Sequence, residues 1–315
     1  MSDSYKRLLG LLSFFMISVA AVAIPVSVDE NIEFISAVCR LAGFDEYVDD
    51  TNKSYTARLD SVMAQWSGHK AVDYLKTVRN LQAVGYDAIA ALAVHTQIAG
   101  AHLVLAAGAD LSSVDGRWKN GQDKEIVQLL DDLYRLSCFN DFYESNVGLY
   151  SHAVDNARIL LSDCDLEWLN QFYGKELSGS RVVLSLLNRG NYGMTKKTEG
   201  QPEESVIIIC CRELDDNGYP VFTGRESLII HESSHPVCNP LILDNIERFN
   251  NNIELAAELM NDELANQSYS GGKTMMCETM VRSVELQYAL AHAKDGRSYE
   301  NYMRNQMANG FFLHA

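Results

Sequence analysis

The sequence predicts an α+β protein that is mostly helical and has a small sheet in its second half. Through residues 28–175, apolar side chains recur three and four positions apart, and single glycines separate these segments. Two short runs rich in β-branched residues follow, Arg181–Leu187 and Ser205–Cys210, and this composition is typical of strands. The helical periodicity then returns over residues 242–308.

The first half of the chain is predicted to be a helical scaffold that supports the second half. Its predicted helices are Asp29–Leu41, Thr56–Trp66, Ala71–Val84, Tyr86–Ile98, Asp123–Leu136, Phe139–Leu161 and Asp165–Tyr173. Asn188–Gly193, between the two predicted strands, is expected to be a glycine-rich loop. We therefore divide the chain into a helical region, residues 24–175, and a catalytic region, residues 176–315, which together can form one compact unit.

Residues 1–23 have the pattern of a secretory signal peptide. Lys6 and Arg7 give a basic start, Leu8–Val22 is almost continuously apolar, and Ala21-Val22-Ala23 matches the small-x-small cleavage pattern. The alternative is an uncleaved membrane anchor, for which the apolar stretch is short. The sequence thus predicts an exported protein, periplasmic or secreted, that leaves the membrane after cleavage.

Charge and cysteine content restrict the partners and the chemistry. The formal net charge of −16 argues against nucleic acid and anionic membranes as partners. The chain has seven cysteines, an odd number, so in an oxidising compartment at least one stays outside a disulfide. No cysteine pair has C-x-x-C spacing, which argues against a structural zinc cluster.

The motif H-E-x-x-H at residues 231–235 is the strongest functional signal in the sequence. On a helix, His231 and His235 share a face and can bind one metal ion. Zinc lowers the pKa of a bound water to about 7, and Glu232 is placed to accept the proton of that water. Pro236 follows directly and disfavours helical backbone before it, which predicts that the helix ends at His235.

A catalytic zinc ion usually has three protein ligands, and the sequence favours Glu278 as the third. Glu278 lies in an amphipathic helix over residues 273–293, among apolar neighbours, so its charge needs a partner if it is buried. Arg282, four residues later, is an alternative partner, and Glu285 is an alternative ligand. Leu241 stands where a metzincin would have a third histidine, which excludes that subclass.

A small sheet, a metal-binding helix and further helices form the element order of zincin metallopeptidases. The leading prediction is therefore a zinc metallopeptidase that acts on a peptide or protein, with Glu232 as general base. The alternative is a non-catalytic exported binding protein with a structural metal site, which would have no use for Glu232. Tyr192, Tyr269 and Arg282 are candidate donors to the oxyanion, and the sequence does not rank them.

Five short motifs resemble an uncharacterised family of exported bacterial proteins that is grouped under a domain of unknown function. The resemblance covers residues 140–315 and rests on Asn191-Tyr-Gly193, His231-Glu-Ser-Ser-His235, Asn239-Pro-Leu241, Glu278-Thr-Met-Val-Arg282 and Gly310-Phe-Phe312. Members of that family are regarded as zinc metallopeptidases of the gluzincin type. The resemblance implies that His231, His235 and Glu278 bind the metal and that Glu232 is catalytic. Pro236 departs from the family pattern, in which a serine is common.

Overall fold

The computed structural model describes residues 24–48, 50–174, 180–222, 226–259, 262, 264, 271–293 and 296–311. The predicted signal peptide lies outside the described residues. The predicted α+β class is confirmed, since helices account for most of the described chain and the sheets are small. The helices are α1 Glu30–Leu41, α2 Lys53–Met63, α3 Lys70–Gln82, α4 Asp87–Val94, α5 Leu111–Val114, α6 Gln122–Ser137, α7 Phe139–Glu144, α8 Val147–Ser162, α9 Leu166–Tyr173, α10 Glu226–Leu243, α11 Ile246–Glu258, α12 Gly271–His292 and α13 Gly296–Ala308.

The structure has eight short strands: β1 Val26–Ser27, β2 Thr96–Ala99, β3 His102–Leu105, β4 Arg181–Ser185, β5 Tyr192–Lys196, β6 Glu204–Cys210, β7 Glu213–Leu214 and β8 Pro220–Val221, all within the described residues. Four of them form a mixed sheet in the order β1-β4-β6-β5. β4 pairs in parallel with both β1 and β6, and β5 runs antiparallel to β6 at the edge. β2 pairs with β3, and β7 with β8, as two small antiparallel ribbons.

The largest hydrophobic core joins both halves of the sequence. It contains Phe34 of α1, Val183 of β4, Ile207 of β6 and Ile229 of α10, all fully or almost fully buried. β4 and β6 are buried along most of their length, as expected of strands covered on both faces. A parallel partner for β4 comes from β1, near the start of the described chain, so the helical first half and the sheet form one packed body.

Three predicted elements have different bounds in the structure. The predicted helix Tyr86–Ile98 ends at Val94, because Thr96–Ala99 pair with His102–Leu105 as a hairpin. The predicted loop at residues 188–193 already enters β5 at Tyr192. The predicted helix Phe139–Leu161 is broken at residues 145–146, between α7 and α8.

The prediction that the helix ends at His235 is wrong. α10 continues through Pro236 and Pro240 to Leu243. A proline inside a helix removes one backbone hydrogen bond, here the one that Glu232 C=O would accept from residue 236. The apolar residues Ile230, Cys238 and Ile242 are buried on both sides of the prolines, and their packing holds the helix together past them. Within the described residues, no helix is long and apolar enough to cross a membrane.

Candidate metal centre

The two histidines of the motif converge on one point beside α10. Their Nε2 atoms lie 3.1 Å apart, as the four-residue spacing on a helix predicts. His231 is 8% exposed, and its ring is nearly perpendicular to that of His235 at 78°. Both imidazoles therefore present the same ring nitrogen to a shared, largely water-excluded position.

The opposite ring nitrogens are held by acceptors from two helices. Nδ1 of His231 lies 3.0 Å from Oε2 of Glu285 on α12. Nδ1 of His235 lies 3.2 Å from Oδ1 of Asn239, one turn further along α10. Because a carboxylate and an amide oxygen only accept hydrogen bonds, each Nδ1 carries the hydrogen. When the imidazoles are neutral, their lone pairs are then on Nε2, the nitrogen at the point of convergence.

Glu278 of α12 completes this arrangement. Its Oε2 lies 3.5 Å from Nε2 of His231, and its Oε1 lies 3.5 Å from Nε2 of His235. The predicted alternative partner is also present, since Arg282 Nη2 lies 3.5 Å from Glu278 Oε2. The carboxylate thus faces both histidines and the guanidinium. The packing of α12 on α10 brings Glu278 to His235, which lies 43 positions earlier in the sequence.

These separations fit three ligands of one divalent metal ion. Tetrahedral zinc with bonds of about 2.0–2.1 Å places its nitrogen and oxygen ligands roughly 3.3 Å from one another. The observed separations, 3.1 Å between the histidines and 3.5 Å from each histidine to Glu278, are close to that value. Two imidazole lone pairs and a carboxylate facing one another repel unless a proton or a metal ion lies between them, and imidazole and carboxylate are donors that zinc accepts.

Glu232 is the remaining carboxylate of the centre. The ligand atoms of His231, Glu232 and His235 lie within 4.8 Å of one another, so Glu232 is itself a potential ligand. Its Oε2, however, lies 3.9 Å from Nε2 of His235, further than either oxygen of Glu278 lies from its histidine. Glu278 therefore lies closer than Glu232 to the Nε2 atoms, and Glu232, 5% exposed, lies beside them.

The electrostatic surroundings favour a cation at the point of convergence. Burial raises the pKa of the Glu232 carboxyl, and nearby Glu278 and Glu285 raise it further, against the opposing effect of the two imidazoles. Burial alone would lower the pKa of His231, but the hydrogen bond and charge of Glu285, with the other two carboxylates, raise it to about 9. Three buried carboxylates surround two histidines, and a proton on His231 or a divalent ion can balance their negative charge.

The edge strand β5 lies against α10 at the H-E-x-x-H motif. A methyl group added to Gly193 would overlap the carbonyl oxygen of Glu232, so only glycine permits this approach. That carbonyl is the one whose helical partner Pro236 removes. Because successive residues of a strand point to opposite faces, Tyr192 points away from α10, and its hydroxyl is buried next to Gly190.

The structure brings together His231, Glu232, His235 and Glu278, but not all the other candidates. Tyr192 lies on the far side of β5, and Tyr269 lies outside the described residues. Arg282 lies beside Glu278 and Glu285. His292 is exposed and pairs with Asp165 at 3.0 Å, away from the metal centre.

Sequence reasoning named Glu285 only as an alternative ligand, whereas the structure places it on Nδ1 of His231, and it did not single out Asn239 beyond its place in the Asn239-Pro-Leu241 motif. Asn239 follows His235 by one helical turn, and Glu285 follows Glu278 by two turns, so periodicity alone pointed to both. Tyr302 and Gln306 gave no signal, because tertiary packing brings them to α12, and Phe311 was noted only as part of the Gly310-Phe-Phe312 motif. Their contacts are described below.

The chain belongs to the family described as a domain of unknown function (DUF4932), whose model matches residues 19–313. The match extends well beyond the residues 140–315 over which the motifs predicted it. No curated protein and no solved structure matches the chain. The family description names no activity, so the function is argued from the site.

Proposed function

We propose that this protein is a zinc-dependent peptidase in which His231, His235 and Glu278 bind the metal and Glu232 is the general base. The observation that carries the proposal is the convergence of both Nε2 atoms and both oxygens of Glu278 on one point, at separations of 3.1–3.5 Å. Glu232 lies next to this point without occupying the nearest ligand position. Three ligands and a free carboxylate are what a catalytic zinc site requires.

Each part of the site has a distinct task in hydrolysis. When bound, zinc supplies Lewis-acid chemistry, which polarises a carbonyl and lowers the pKa of water. Glu232 accepts the proton of the attacking water and passes it to the leaving amine. Glu285 and Asn239 hold the imidazoles in the tautomer that leaves Nε2 free for the metal. Because His231, Glu232 and Glu278 are buried, few bulk water molecules can reach the metal and compete with the substrate.

The position of β5 favours an extended peptide as the substrate. In the described part of the chain, β5 has a ladder partner only on its β6 side. Its backbone passes directly against Glu232 at Gly193. An extended peptide that adds to a strand edge gains main-chain hydrogen bonds without dependence on its side chains. A peptide bound there would lie beside the general base.

The second candidate is a non-catalytic binding protein with a structural metal site. The cluster of His231, Glu232 and His235 within 4.8 Å favours this reading if Glu232 serves as a fourth ligand. A closed site of four protein ligands leaves no position for a substrate. The two functions therefore assign opposite roles to Glu232, and an experiment on this residue separates them.

The test compares Glu232→Gln with Glu278→Gln, two identical chemical changes at different proposed roles. Glu232→Gln is expected to keep one zinc ion per chain and to lose about 10²–10⁴-fold in peptide hydrolysis. Glu278→Gln is expected to lose zinc. Metal analysis and cleavage of a peptide library, followed by mass spectrometry, give both readouts. Glu247→Gln, on the exposed face of α11, is the matched control and should change neither.

Two outcomes contradict the proposal. If Glu232→Gln loses zinc as readily as Glu278→Gln does, Glu232 is a metal ligand, and the second candidate, a structural metal site, is the correct one. If it retains full activity on a peptide that the wild type cleaves, the mechanism is wrong.

We include export in the proposal, because residues 1–23 have the pattern of a signal peptide. Amino-terminal sequencing of exported protein should then begin at Ile24.

A further inference from the structure

The carboxyl-terminal helix α13 reaches the metal centre through the hydroxyl of Tyr302. This hydroxyl lies 2.9 Å from Oε2 of Glu285 and 3.0 Å from the carbonyl oxygen of Arg282, both on α12. The same Oε2 lies 3.0 Å from Nδ1 of His231. One carboxylate oxygen thus connects a residue near the end of the chain to a proposed metal ligand.

The single hydroxyl hydrogen of Tyr302 has two acceptors within reach. The carboxylate is the stronger one, because hydrogen bonds to charged oxygens are about twice as strong as those to neutral ones. Glu285 is 6% exposed, so little water is available to replace this donor. Oε2 of Glu285 then accepts from Tyr302 on one side and from His231 on the other, which fixes the rotamer of the carboxylate.

A second charged group competes for Glu285. Nη1 of Arg282 lies 4.0 Å from Oε2 of Glu285, and Nη2 of the same side chain lies 3.5 Å from Glu278. The α13 residue Gln306 accepts from Nη1 at 2.9 Å, and the guanidinium is stacked 3.9 Å above the ring of Phe311. Residues 302–311 therefore restrain Arg282 while Tyr302 holds Glu285 on His231.

We propose that Tyr302 is a positioning residue of the metal centre, which holds the Glu285 carboxylate on Nδ1 of His231 so that Nε2 is presented to the metal. The inference rests on the proposed function, since it assumes that His231 is a ligand. It goes beyond that function by making α13 a part of the site. Tyr302 and Glu285 do not touch the point of convergence, so both act through His231.

Removal of a group that orients a metal-binding histidine typically lowers metal affinity about 10–100-fold. Glu285→Gln keeps the size of the side chain but removes its charge, and we expect a loss near the upper part of that range. Tyr302→Phe removes one of two donors to Glu285, and we expect about a tenfold loss. Because both changes act on the same contact, the double variant should bind zinc no more weakly than Glu285→Gln alone.

The experiment measures zinc affinity by competition with a chelator in the wild type, both single variants and the double variant. Tyr150→Phe is the matched control, since its hydroxyl also lies in a buried hydrogen-bonded cluster, 2.9 Å from that of Tyr55, but away from the metal centre. It should bind zinc as the wild type does. Thermal unfolding of each metal-free variant establishes that the fold is retained, and Glu285→Gln keeps the test informative if Tyr302→Phe is unstable.

Three results separate this inference from the proposed function. If the wild type binds no zinc, the metal centre itself is wrong and the inference fails with it. If the wild type binds zinc and Tyr302→Phe binds it equally well, only the positioning role fails. The third result is that Tyr302→Phe weakens zinc binding by the same factor in the wild type and in the Glu285→Gln variant. Tyr302 would then act through packing and not through Glu285, and this result also overturns the inference.

Discussion

The buried carboxylates of Glu33 and Glu278 are both surrounded by polar groups, but the two surroundings differ in kind. Glu33, on α1, is fully buried and accepts from the Leu186 backbone N–H at 2.9 Å and the Tyr55 hydroxyl at 2.8 Å. The hydroxyls of Tyr55 and Tyr150 lie 2.9 Å apart and extend this network. Each acceptor here faces a donor, so the cluster is complete without any added group.

Glu278 faces acceptors as well as donors. Both of its oxygens lie 3.5 Å from an imidazole Nε2, and the Nδ1 atoms of those rings already donate elsewhere. The comparison separates a polar cluster whose hydrogen bonds are complete from one that needs a further ion or proton. Buried polarity that is complete in itself stabilises a fold, whereas lone pairs directed at one another require a cation or a proton.

The largest expected difference between the clusters is their response to zinc. At a free zinc concentration 1,000 times the Kd, binding should raise the free energy of unfolding of the wild type by about 4 kcal/mol. The double change His231→Ala, His235→Ala should abolish this increase, whereas Glu33→Gln should retain it. Denaturant unfolding with and without zinc provides the measurement. Stoichiometric zinc in the double variant would place the metal elsewhere.

A second expected difference concerns the loss of the Glu33 side chain. Glu33→Ala leaves the N–H of Leu186 and the hydroxyl of Tyr55 without their acceptor, and a buried unsatisfied group costs about 1–3 kcal/mol. We expect destabilisation of about 3 kcal/mol with unchanged zinc affinity. Denaturant unfolding and a chelator competition assay test the two parts. A large drop in zinc affinity would show that the clusters are coupled through the shared core.

The smallest expected effect is the change in the free energy of unfolding with pH that the titration of Glu33 causes. Burial raises the pKa of Glu33 from 4.5 to about 6, although its hydrogen bonds with Leu186, Tyr55 and Ser185 oppose the rise. The folded protein therefore holds this proton more tightly than the unfolded chain does. The stability gained from it is complete below about pH 4.5 and is lost as the pH rises through about 6.

Glu33→Gln has no proton to lose at this position. The free energy of unfolding of the metal-free wild type, relative to this variant, should fall by about 2 kcal/mol from about pH 4.5 to about pH 7. Denaturant unfolding at a series of pH values gives the comparison. A constant difference between the two proteins would mean that the pKa of Glu33 is the same in the folded and unfolded states.

Much of the fold was predictable, because it depends on local periodicity. The bounds of α1, α3, α6 and α9 agree with prediction to within a residue or two, and β4 and β6 were recognised from their β-branched residues. The hairpin β2–β3 was missed, since its stability comes from pairing and not from its own composition. α10 was predicted too short, since the rule for Pro236 is local and the packing that holds the helix is not.

The sequence by itself determined the motif: a four-residue spacing on a helix places His231 and His235 side by side in any fold that keeps the helix. It also favoured Glu278, because a carboxylate among apolar residues needs a charged partner. Only the tertiary structure decided that Glu278 faces both Nε2 atoms, that Glu285 supports His231 from the other side, and that Tyr302 supports Glu285. The physical reason is distance along the chain, since contacts between separate helices depend on how the whole core packs and leave no periodic trace in the sequence.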